Sequence, residues 1–74
     1  MNGQEFTKEV ARLWGIRRDA QQLKIRSVAH QKAQLEFFLG AFSAASITGQ
    51  ECNNNILMLL TVGTDACELF KDGL

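Results

Sequence analysis

The stretch from Leu35 to Ile47, Leu-Glu-Phe-Phe-Leu-Gly-Ala-Phe-Ser-Ala-Ala-Ser-Ile, limits what this chain can fold into more than any other part of it. Wound as a helix at about 100° per residue, its apolar side chains do not keep to one stripe. Leu35, Leu39 and Phe42 share a face with Phe38 and Ala45 beside it, while Phe37, Ala41 and Ala44 point well away. Only Glu36, Ser43 and Ser46 interrupt the ring. A helix apolar nearly all round belongs in a core, and this segment is shorter than the roughly 20 residues a bilayer span needs. Its small residues, among them Gly40, Ala41 and Ala44, also let a neighbouring backbone come close, from the same chain or from a second copy.

The other helices are read from periodicity and caps. Phe6, Val10, Leu13 and Trp14 define an amphipathic first helix over about residues 4–14, with Asn2 as N-cap, Glu5 in the first turn and Gly15 as the residue that stops it. Nothing obvious interrupts the chain from Asp19 to Ile47, and a continuous helix there would be about 43 Å long. A compact chain of this length has a diameter near 30 Å. The helix therefore either breaks, with Ser27 and Gly40 as candidates, or extends beyond the monomer and is covered by a partner. Thr48-Gly49-Gln50-Glu51 fits a capping box, and Asn53, Asn54 and Asn55 offer competing starts for a last helix from Ile56 to Phe70. Gly63-Thr64-Asp65 can split that helix, its second part ending near Asp72 with Gly73 as the stop. The expectation is one all-α domain over residues 1–74, with three helices, or four if the last divides, and a helical hairpin between the long central helix and the C-terminal one.

A chain of 74 residues buries little surface, so its own core leaves a few kcal/mol of net stability unless a disulfide, metal or partner adds to it. Cys52 and Cys67 form no CxxC pair, and His30 is the sole histidine, so neither a metal site nor a cofactor site is expected. A Cys–His nucleophile pair would lack a third orienting residue, and no catalytic residue is nominated; His30 is expected on the surface. No leader-like amino terminus and no membrane segment are read, so the expected location is cytoplasmic. That leaves self-association, most simply a dimer, through the apolar residues one intramolecular contact cannot cover: Phe37, Phe38, Ala41, Ala44, Met58, Val62 and Leu69.

Charge divides along the chain. Residues 1–34 carry seven Lys and Arg against three acids, +4, and residues 35–74 carry one Lys against five acids, −4. Within the basic half, Thr7-Lys8-Glu9-Val10-Ala11-Arg12-Leu13-Trp14-Gly15-Ile16 resembles the first helix and turn of a helix-turn-helix DNA-binding motif. Val10 and Ala11 would face inward, Gly15 would make the turn, and Ile16 would re-enter the core. The resemblance implies a small dimeric DNA-binding regulator using Arg17, Arg18, Lys24 and Arg26. The chain departs from the motif in the second helix, where Gln21 and Lys24 stand at the usual apolar anchors. The leading expectation is instead a small non-catalytic interaction protein that self-associates. It would be of the adaptor or inhibitor type, acting on a larger protein partner, as accessory proteins of phages or mobile elements do.

Overall fold

The computed structural model describes residues 1–71 and shows an all-α fold of four helices: α1 (Gly3–Ala20), α2 (Val28–Ile47), α3 (Ile56–Leu60) and α4 (Ala66–Lys71). The expected end near Asp72 and stop at Gly73 lie outside the described residues.

The first helix begins as its cap residues dictate. Asn2 Oδ1 accepts from the Glu5 amide at 2.8 Å, satisfying one of the donors every helix start leaves open. The helix does not stop at Gly15. Gly15 is buried in mid-helix, and a Cβ there would lie 2.8 Å from Cys67 Sγ. It therefore serves the close approach of α1 to α4 rather than a turn. The stop comes seven residues later, where Gln22 takes a left-handed φ of 54°. The Leu23 amide bonds back to Arg18 O and the Gln22 amide to Asp19 O. These are the two hydrogen bonds of a Schellman cap, with Gln22 in the place glycine usually takes, at about 1–2 kcal/mol of backbone strain. The same motif ends α2: the Gln50 amide reaches Ala45 O, the Gly49 amide reaches Ser46 O, and Gly49 has φ 77°. Thr48 is therefore a C-cap and donates to Ala45 O, so no capping box forms at Thr48.

Of the two candidate breaks in the central stretch, Ser27 is the one used. Its Oγ accepts from the His30 amide at 3.1 Å and starts α2, which runs unbroken through Gly40. At about 1.5 Å per residue α2 is about 30 Å long, within the 33 Å longest extent of the molecule. A helix overshooting the monomer, the geometric ground for expecting a partner, is not present.

The long helices α1 and α2 pack against each other, α4 lies on α1, and α3 lies on α2. Trp14, Phe38, Phe42, Ile56, Leu60 and Phe70 fill the space between them with Val10, Ala11 and Ala66. The rings of Phe38 and Phe42 meet nearly edge to face at 5.8 Å, an arrangement worth about 0.5–1.5 kcal/mol beyond simple burial. The row His30, Gln34, Phe38, Phe42, each four residues on from the last, forms the inward face of α2.

Candidate functional site

Two features stand out once the helices are assembled, one inside the molecule and one on its surface. The inner one centres on Asp65, a carboxylate with no solvent exposure, just ahead of α4. Its Oδ1 accepts from Trp14 Nε1 at 3.0 Å and lies 2.8 Å from His30 Nε2. Its Oδ2 accepts from Arg18 Nη1 at 2.6 Å and from the Cys67 amide at 3.0 Å. His30 Nδ1 accepts from the Arg26 amide, so the proton of the neutral ring sits on Nε2 and points at Asp65. That bond also holds Arg26 at its left-handed φ of 72°. Beside this cluster Gln34 grips the α3–α4 turn, Nε2 donating to Thr64 O and Oε1 accepting from the Ala66 amide.

Burial by itself would raise the Asp65 pKa, but the hydrogen bonds from His30, Trp14 and Arg18 outweigh it and hold the carboxyl below its usual range. Burial likewise works against the Arg18 charge, yet its bonds to Asp19 and Asp65 keep the guanidinium above its usual value. Because the folded pKa of Asp65 is depressed, its stabilising contribution is complete above the unfolded value of about 3.9 and is lost as pH falls through the lower folded value. Urea midpoints followed by the fluorescence of Trp14 should therefore drop below about pH 4 in the native chain. They should drop less in Asp65→Asn, which has no carboxylate to protonate.

This cluster is arranged as a lock on the fold. A carboxylate offers about four acceptor sites, and here four donors occupy them, so none is left for a reacting proton. Both ring nitrogens of His30 are engaged, by Asp65 and by the Arg26 amide, and neither serves as base to a thiol. Cys67 donates to Ala11 O, and burial with the nearby Asp65 charge pushes its thiol pKa up, away from the reactive thiolate. Burial raises the Cys52 thiol as well. His30 is thus fully buried, contrary to the surface placement expected of it. Among the described residues no group of three or more His, Cys, Asp or Glu could hold a metal, and no helix is long and apolar enough to cross a membrane.

The outer feature is a stripe along α2. Val28, Leu35 and Leu39 fall within about 40° of one another on the helical wheel, on the side turned away from α1. Val28 is 84% exposed and Leu39 46%. A shallow groove of about 280 Å³ joins the stripe to α3, lined by Val28, Gln31, Lys32, Leu35, Leu60 and Thr61. Met58 and Val62, from α3 and the turn after it, are about three-quarters exposed. No known protein family, curated protein or solved structure matches the chain.

The residues expected at an interface do not form one surface. Phe38 is fully buried in the chain's own core and is unavailable to a partner. Phe37 packs half-buried on Trp14, and with Ala41 and Gly40 it lines a second groove, between α1 and α2, whose other walls include Arg17, Gln21 and Glu36. Ala44 is exposed and continues that side of α2, while Leu69 is half-buried against the core. Only Met58 and Val62 lie exposed on the α3 side. The helix-turn-helix resemblance fails at its turn, since α1 runs straight through Gly15, and Arg18 is committed to Asp65. Arg17, Lys24 and Arg26 are exposed, with Arg26 3.9 Å from Glu68.

Sequence reasoning missed Val28 and Leu39 as surface residues and the Asp65 cluster as a whole. The stripe had a readable signal in the spacing Val28, Leu35, Leu39, a heptad-like seam overlaid on the inward row. The partners within the cluster are 35 to 51 positions apart along the chain for His30 and Trp14 with Asp65, and no local pattern announces them.

Proposed function

We propose that this chain is a small interaction protein that works by self-association through the outer face of α2 and the adjoining α3, not by catalysis. The observation that supports this reading is the stripe itself: Val28 and Leu39 stand open to water on the helix whose adjacent row supplies Phe38 and Phe42 to the core. Scattered exposed apolar residues are ordinary, but a row aligned along one helix and continuous with an apolar groove is the form association surfaces take. Burying it removes apolar area from water at about 25 cal/mol per Å². Both cysteines are free, which suits a reducing, cytoplasmic setting. An adaptor or inhibitor acting on a larger protein fits the same surface and the small size.

The test is the solution mass of the full chain over a wide concentration range, by sedimentation equilibrium. The native chain should move toward twice its 8.2 kDa mass as concentration rises. Val28→Glu with Leu39→Glu should remain at the monomer mass with an unchanged helical circular-dichroism spectrum, because both side chains lie outside the core. A native chain that stays monomeric at every concentration would overturn the reading.

A further inference from the structure

We infer that the occupant of the α2 stripe is a second copy of this chain, docked antiparallel across a two-fold axis beside residue 34, with Lys32 of each copy against Glu36 of the other. The inference rests on the self-association proposed above and specifies its geometry.

The argument starts from two charges that the fold leaves unused. Lys32 and Glu36 are both exposed, and neither pairs with any other described residue. On the helical wheel both lie on the same flank of the stripe, Lys32 about 40° and Glu36 about 80° from Val28. Gln31 lies on the opposite flank, and there α3 comes up against the helix through Leu60 and Thr61. The stripe is thus bounded on one side by the chain's own α3 and on the other by one free cation and one free anion, a single turn apart.

When two copies of one helix pack antiparallel about a two-fold axis, the same flank of each faces the other, and positions equidistant from the axis lie level. An axis beside residue 34 brings Lys32 level with Glu36 of the second copy and, by symmetry, Glu36 level with its Lys32. The same register sets Val28 within one residue of Leu39 of the second copy and puts Leu35 next to the axis, against its own counterpart. One placement therefore satisfies the apolar row and both charges. A parallel pairing, with the two-fold axis along the helices, would set the charged flank of each copy against the α3 flank of the other and leave Lys32 and Glu36 without partners, so the charge pattern selects the antiparallel arrangement. Self-complementarity of this kind is what a closed two-fold dimer requires, whereas an unrelated partner would have no reason to be matched by charges that match each other.

Lys32→Glu makes the flank wholly acidic and Glu36→Lys makes it wholly basic, so each variant alone repels its own copy. Exposed charges of this kind act weakly one at a time, and reversing two pairs should weaken each variant's self-association roughly tenfold at low salt. Mixing the two variants places acid against base at every contact, and the heterodimer should form at least as tightly as the native dimer. Its advantage should shrink as salt rises. Sedimentation equilibrium on each variant and on the equimolar mixture reads this directly, and circular dichroism confirms that each is folded. Weak homodimers with a restored mixture support the antiparallel register. Variants that each dimerise as the native chain does, while Val28→Glu with Leu39→Glu abolishes association, would overturn the register and leave self-association standing. A native chain that never dimerises would overturn both.

Discussion

Replacing Asp65 with alanine is expected to remove a large share of the stability of this protein. The substitution deletes the common acceptor of Trp14 Nε1, His30 Nε2, Arg18 Nη1 and the Cys67 amide at once. Two of those donors belong to fully buried side chains that no water can reach. Breaking a buried charged pair from one side costs about 3–5 kcal/mol, because the remaining groups keep their desolvation penalty without their partner. Arg18 recovers part of this, since its guanidinium is partly exposed and already bonded to Asp19. A domain of this size has about 4–11 kcal/mol in total at roughly 0.05–0.15 kcal/mol per residue. A loss near 3 kcal/mol would lower the melting temperature by about 12 °C or more. Asp65→Asn separates shape from charge. Its amide must point at either the Trp14 and His30 donors or the Arg18 and Cys67 donors, so one pair faces a donor whichever way the side chain turns. Thermal unfolding followed by circular dichroism should rank the native chain first, Asp65→Asn well below it, and Asp65→Ala lowest. Equal melting temperatures for all three would contradict the role assigned to the cluster.

Phe38→Ala is expected to be nearly as damaging, and its readout distinguishes core from interface. Phe38 is fully buried between Phe37 and Phe42, and truncating such a ring typically costs about 3–5 kcal/mol in lost burial and residual cavity. The loss should show as a lower urea midpoint. The dimerisation constant of molecules that remain folded should be unaltered, because the ring touches no outer surface. Val28→Glu should give the reverse: dissociation at nearly native stability. If Phe38→Ala instead left the midpoint alone and shifted association, the division between the inner row and the outer stripe of α2 would be wrong.

The fold class was legible in the sequence because its signals are local. Asn2 acts through an amide three residues away and Ser27 does the same for α2, whereas the apolar ring of Leu35 to Ile47, expected to be core, is buried only in part: Phe38, Phe42 and Ala45 are inside, while Leu39 and Ile47 are exposed. Where two local signals competed, sequence could not choose between them. Gly15 reads as a helix stop, but its glycine is required by the Cys67 thiol, which is 52 positions further along. The true stop uses Gln22, a residue with no glycine signature, held left-handed by the two cap hydrogen bonds. Thr48 and Glu51 have the spacing of a capping box, yet Gly49 already closes α2 and claims Thr48 for its end.

The candidate surface was harder to read for a different reason. The helix is apolar on most sides, so composition alone could not say which apolar row the chain's own α1, α3 and α4 would cover. Phe37 and Phe38 are adjacent in sequence and were equally eligible for an interface. Packing sends Phe38 fully inside and leaves Phe37 half-covered by Trp14. His30 was misplaced because its sequence neighbours are polar, although its spacing to Gln34, Phe38 and Phe42 is that of a single helix row. The break at Ser27 shortens the central helix and removes length as a ground for a dimer. The exposed stripe and its unpaired flanking charges now carry that expectation.

The most direct test of the account is an isotope-filtered nuclear Overhauser experiment on an equimolar mixture of labelled and unlabelled full-length chain, which records only contacts between copies. The account predicts intermolecular contacts of the Leu35 methyls with those of Leu35 in the other copy, and of Val28 with Leu39, with none from Phe38. Intermolecular contacts confined to Phe37 and Ala44, on the α1 side of α2, or no intermolecular contacts at concentrations where the mass is that of a dimer, would contradict it.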